Sequence, residues 1–213
     1  ILVEAGGPGI SPRGGLLGNI TDINVADIDI SGSIKTTGFT DIFLQRTDPS
    51  QPVVIRTFSG EAMIPNATAT IDIQPGAMLS TTHGAAIKEY TSGAFSFPVH
   101  TTLTIAGTVQ GDFPNGMAID LDAGDDTLIL LPTAKVIRSV LMGEGQDSLV
   151  LQADASDLGT LSRMETVSIS GLESVRKTGT GQWTLTNDQA SSFIFSDQSA
   201  LIPTTIEDGT LDL

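Results

Sequence analysis

Short runs in which apolar and polar positions alternate recur along the whole chain. They fall at 23–30, 69–73, 102–105, 119–121, 127–131, 148–151, 166–169, 183–186 and 210–213. A period of two puts one set of side chains on a buried face and the other in water, so each run predicts a β-strand. Gly, Asn, Asp and Pro bound nearly every run, as expected of turns between strands. Helical spacing is confined to 156–165, where Leu158 and Leu161 precede Arg163. Gly159 weakens that helix, and a loop or a single turn fits the stretch equally well.

The spacing of the runs carries more than their number. Leu128 and Leu149 lie 21 residues apart behind similar turns, Val167 follows 18 later, and Leu185 another 18 later. Units of about 20 residues are too small to bury their own apolar faces, which predicts stacking into an all-β solenoid, a parallel β-helix. The rival is a β-sandwich, whose strands recur every 8–12 residues or so through hairpins. In the solenoid, Leu128, Leu130, Leu149, Leu151, Val167, Ile169 and Leu185 point inward. About ten coils at about 4.8 Å would make a rod of roughly 40–50 Å. The whole chain, 1–213, is expected to be one such unit, with a less regular N-terminal part at about 1–65.

Composition narrows the class. Aromatic residues are 5% of the chain and glycines number 23, which suits a narrow coil filled by small and aliphatic side chains. With 25 Asp and Glu against 10 Lys and Arg, the formal charge is −15. That excess argues against a nucleic-acid surface and against docking on anionic lipid. A charged fraction of 16% beside 39% apolar residues is unlike a disordered chain. No apolar run approaches the roughly 18 residues of a membrane helix. Ile1 opens the chain without a charged leader, so a secretion signal is expected to be absent or removed. The sequons at Asn19 and Asn66 are taken as chance.

The search for chemistry finds acids and little else. Cysteine is absent, which excludes thiolate metal sites, disulfides and cysteine nucleophiles. His83 and His100 are the only histidines; no serine elbow accompanies them, and both are expected to be turn or surface residues. Asp112, Asp120, Asp122, Asp125 and Asp126 form an acidic stretch with no Lys or Arg among them. Asp120 and Asp122 are two apart on one strand, so they share its outward side while Ile119 and Leu121 turn inward. Such a pair is the best enzyme-like feature of the chain, although the nearest downstream cation is Lys135. The turns at 122–128 and 142–149 partly match the glycine-aspartate repeat that binds calcium. That repeat has a nine-residue period, so turns 21 apart are expected to be held by local hydrogen bonds instead. No catalytic, cofactor or metal residue is therefore assigned; Asp120, Asp122, Asp125 and Asp126 remain acidic-patch candidates.

Two C-terminal segments carry a resemblance. Val175-Arg176-Lys177-Thr178-Gly179-Thr180-Gly181-Gln182-Trp183-Thr184-Leu185-Thr186 resembles the K-x-G-x-G-x-W-T-L rungs of bacterial autotransporter passenger domains. Thr204-Thr205-Ile206-Glu207-Asp208-Gly209-Thr210-Leu211-Asp212-Leu213 is similar to the T-x-I-x-x-G-T-L-x-L rung that often follows. The likeness covers about 100–213. It implies a right-handed parallel β-helix exported through the outer membrane by type V secretion. A C-terminal membrane barrel, not in this chain, would be its contact with the membrane. The family has no universal catalytic residues on these rungs, and no cofactor is implied. A chain that crosses the periplasm unfolded is well served by having no cysteine.

Two classes of function remain. One is a surface-displayed or secreted structural and adhesive passenger, a virulence-type adhesin binding molecules on host or neighbouring bacterial cells, with self-association through its end coils. The other is an extracellular polysaccharide-active β-helix enzyme, a lyase or hydrolase, using outward aspartates. The first needs no catalytic constellation and is preferred.

Overall fold

The computed structural model describes residues 2–5, 25–30, 33–36, 42–45, 67–81, 85–90, 99–111, 116–162, 166, 168–186, 195–196 and 202–212. Among them the chain forms strands and turns with no helix. Strand β1 (Leu2–Ala5) precedes a first coil of β2 (Val25–Ile30), β3 (Ser33–Thr36) and β4 (Ile42–Gln45). The second coil holds β5 (Ala67–Ile73), β6 (Met78–Thr81) and β7 (Ile87–Tyr90). The third holds β8 (Val99–Ile105), β9 (Thr108–Gln110) and β10 (Met117–Asp120). The fourth holds β11 (Thr127–Leu130), β12 (Lys135–Ile137) and β13 (Ser139–Leu141). The fifth holds β14 (Ser148–Gln152), β15 (Leu158–Ser162) and β16 (Ile169–Ser170). The sixth holds β17 (Ser174–Thr178), β18 (Gln182–Thr186) and β19 (Phe195–Ser196); β20 (Thr204–Ile206) and β21 (Thr210–Asp212) come last.

Each strand pairs with its counterpart one coil away, so consecutive strands lie on different faces. The first face is a seven-stranded sheet, β2-β5-β8-β11-β14-β17-β20. The second is β1-β3-β6-β9-β12, followed by a separate sheet β15-β18-β21. The third is β19-β16-β13-β10-β7-β4. The pairings are parallel, which excludes the hairpin-built sandwich and makes the fold a parallel β-helix.

Alternation along the strands builds the core. Ile71, Leu103, Leu128, Leu149 and Val175 stack in one row, each in register with the next. Ile73, Ile105, Leu130 and Leu151 stack in a second row beside it. Ile87, Ile119, Val140 and Ile169 line the third face. All of these are buried, as is Leu185 in β18. Val167 lies outside the described residues.

Several expectations need correction. The coil has no fixed length: equivalent positions are 32, 25, 21 and 26 residues apart in successive coils. The Leu128-to-Leu149 step is a true rung, but Leu149 is followed by Val175, whereas Leu185 pairs with Leu161 on another face. The longest sheet has seven strands among the described residues, about 29 Å at the usual spacing, shorter than ten coils would give. The helical candidate at 156–165 contains β15, because Gly159 and Leu161 face inward with period two and pair with β18.

Two unusual residues occupy the core of the last coils. Gly159 lies in register with Trp183, and a Cβ there would sit 2.4 Å from the indole ring. The missing side chain is what lets the fully buried tryptophan fit. Lys177 occupies the place below Leu151 in the second aliphatic row and is fully buried. Its Nζ donates to the carbonyls of Thr178, Gly179 and Asp208, at 2.7, 2.5 and 3.3 Å. Its stem continues the row while its ammonium donates to carbonyls at the end of β17 and in the turns that follow it.

Candidate functional site

The sequence repeats one small pattern at the entry to the first face: acid, hydroxyl, aliphatic. It occurs as Asp126-Thr127-Leu128, Asp147-Ser148-Leu149 and Glu173-Ser174-Val175. In-register stacking turns each position into a ladder running along the solenoid. The aliphatic members fill the core row described above.

The hydroxyl members form an outward row. Thr70, Thr102, Thr127, Ser148 and Ser174 are neighbours in successive strands, and each is half-buried. Thr127 Oγ1 and Ser148 Oγ are 3.1 Å apart and share a hydrogen bond. Neighbouring strands are about 4.8 Å apart, so the row offers hydroxyls at that repeat. Two residues further along the strands the outer row is Asp72, Thr104, Ile129, Val150 and Arg176. Arg176 Nη1 meets Glu207 Oε1 at 3.1 Å on the exposed surface.

The acid members form a ladder of a different kind at the corner before the sheet, with Asp126 and Asp147 buried and Glu173 exposed. Asp126 Oδ1 accepts the Thr101 N–H at 2.7 Å, Asp147 Oδ1 accepts the Asp126 N–H at 2.8 Å, and Glu173 Oε2 accepts the Asp147 N–H at 2.5 Å. Each carboxyl thus caps the backbone of the coil before it. Asp126 and Asp147 are buried to within 1% of full, and their Oδ2 atoms have no hydrogen-bond partner. Burial pushes both carboxyls up to about 7; backbone N–H donation opposes this, and nearby acids add to it.

An outer ladder runs beside the inner one with reversed polarity. Asp125 N–H donates to His100 Nδ1 at 2.8 Å, and Gln146 N–H donates to Asp125 Oδ1 at 3.0 Å. Accepting at Nδ1 requires that nitrogen to be unprotonated. Backbone close to the turns leaves no room for side chains: Gly145 has φ +149°, and a Cβ there would lie 1.7 Å from the Gly124 carbonyl oxygen.

The structure divides the acidic stretch that the sequence grouped. Asp125 and Asp126 are at the corner, the first exposed and the second buried. Asp120 is on the third face and only 7% exposed, in an ion pair with Lys88, its in-register neighbour in β7. The acid therefore has a cation partner, contrary to expectation; Lys88 is 32 residues upstream and is brought there by coil stacking. Ile119 and Leu121 point inward as expected. Asp122 is half-buried in the turn after Leu121, with its carbonyl accepting the Glu144 N–H at 3.1 Å. Asp112 and His83 lie outside the described residues. Among the described residues no group of three or more His, Asp or Glu side chains is arranged to hold a metal ion.

Sequence reasoning missed Asp147 and Glu173 as ladder members. The triplet pattern is the signal that could have found them, obscured by its unequal spacing of 21 and 26 residues. No family model, curated protein or solved structure matches this chain.

Proposed function

We propose that the chain is a structural and adhesive passenger of a bacterial autotransporter, displayed at the cell surface or secreted, which binds molecules on host or neighbouring bacterial cells. The observation that carries this reading is the outward row Thr70, Thr102, Thr127, Ser148 and Ser174 on the longest sheet. A rigid face with hydroxyl groups at a regular repeat presents many equivalent donors and acceptors. It suits binding to extended, polar, repetitive surfaces, where affinity comes from many weak contacts. The resemblance at Val175–Thr186 and Thr204–Leu213 supports the same class, and with it a position outside the outer membrane.

A second reading, a polysaccharide-active enzyme, draws support from the Lys88–Asp120 pair, which combines an acid with a cation. The two groups neutralise each other, and Asp120 is covered, so the pair favours a fastening role between coils 2 and 3.

The experiment is a binding assay on bacterial cells, host cells and matrix polysaccharides, run beside turnover assays on polysaccharide, ester and peptide substrates. Saturable binding without turnover is expected, and Thr127→Gln with Ser148→Gln should weaken it by adding bulk to the row. Turnover that disappears in Asp120→Asn would overturn the adhesive reading in favour of the enzyme. Binding indifferent to the Thr127 and Ser148 changes would remove the hydroxyl row as its basis.

A further inference from the structure

The inner acid ladder contains more buried oxygen than the hydrogen bonds around it can satisfy. Asp126 and Asp147 each use Oδ1 to accept one backbone N–H from the coil before. Their Oδ2 atoms, and the Thr101 Oγ1 at the preceding ladder position, are buried without partners. The charged groups that face Asp126 are Asp125 and Asp147, and those that face Asp147 are Asp125 and Glu173. The nearby histidine, His100, contacts the exposed Asp125 and not the buried pair. Two ionised carboxylates one coil apart, out of water and among further acids, would repel each other with little screening. A proton on each removes the charge and turns an unpartnered acceptor into a hydroxyl donor among unpartnered oxygens.

We propose that Asp126 and Asp147 are held as neutral carboxylic acids in the folded solenoid and form a proton-loaded latch that fastens the middle coils more firmly in acidic than in neutral or alkaline surroundings. The latch is independent of the proposed function, because it concerns the buried side of the corner. The tendency of both carboxyls to titrate near 7 agrees with it.

The direction of the pH effect comes from linkage. In the unfolded chain the two carboxyls release their protons near the ordinary 3.8, whereas in the folded chain they keep them to about 7. Across that window the folded state holds more protons, so stability falls as pH rises. The stabilisation is complete below the unfolded value and gone above the folded one.

The test is thermal unfolding of the full chain at about pH 5 and about pH 8.5. The wild type, Asp126→Asn, Asp147→Asn and the double variant are compared, with Glu144→Gln as a control for losing one exposed charge. Asparagine mimics the protonated acid: it keeps the acceptor and supplies a donor. The midpoint of the wild type should fall between the two pH values by more than about 4 °C. The Asn variants should show a flatter dependence and melt above the wild type at the higher pH. The control should keep the wild-type slope. Carbon-13 carboxyl resonances of the unmodified chain supply a second readout, with two aspartates titrating close to neutrality. Parallel melting profiles in all variants, or every carboxyl titrating in the ordinary range, would overturn the proposal. So would calcium chloride restoring the wild-type midpoint at high pH but having no effect on the Asn variants, which would make a cation the occupant of the ladder.

Discussion

Leu149 is held between Leu128 on one side and Val175 on the other, fully buried in the central coils. Neither neighbour can move into a gap without leaving its own strand register. Leu149→Ala should therefore cost about 2–5 kcal/mol in a denaturant melt, the range for truncating an aliphatic side chain in a core that cannot collapse. A cost below about 0.5 kcal/mol would show that the position is not core. Gly159 makes the converse point. A methyl group there would enter the space of the Trp183 ring, so Gly159→Ala should destabilise by about 1–3 kcal/mol through overpacking. Trp183 is the only tryptophan, and its fluorescence should shift toward the red as the ring is pushed from its site. An unchanged spectrum and an unchanged melt would contradict the packing described.

At the scale of strands and turns, Lys177 joins the sixth coil to the two last strands, β20 and β21. Its ammonium reaches the Asp208 carbonyl in the turn between them, while its own carbonyl accepts the Glu207 N–H at 2.9 Å. Lys177→Met keeps the apolar stem but strips three carbonyls of a donor, at a cost of about 1–3 kcal/mol. Hydrogen exchange should quicken at Glu207 and Thr210 and stay unchanged in β11 and β14. Faster exchange throughout the chain would mean that Lys177 supports the whole core and not this junction. The strands themselves were legible in the sequence because their alternation has a period of two, and Leu128-to-Leu149 was legible because the two turns before them are alike. The later rungs were not. Connections of different length carry the chain around three faces, so neighbours in sequence are not neighbours in a sheet. The Lys88–Asp120 pair was hidden for the same reason: the coil, and not local sequence, brings the two side chains together. The acid ladder was half visible, as acidic turns; that Asp126 and Asp147 are buried could be told only once they and Glu173 were placed in register.

Across the whole molecule, every feature described depends on parallel stacking in one register. The core rows, the hydroxyl face and the acid ladder are the same coils seen from inside, outside and the corner. The chain has no cysteine, so single cysteines can be placed and spin-labelled without background. The most direct measurement pairs a label at Ser174 with a label at Ser148, Thr127, Thr102 or Thr70, all half-buried members of the outward row. Electron-spin distances should increase in four equal steps of about 4.8 Å, reaching about 19 Å for Thr70 before the label arms are added. Distances that do not rise in that order, or that put Thr70 as close to Ser174 as Ser148 is, would contradict the parallel β-helix and everything built on it.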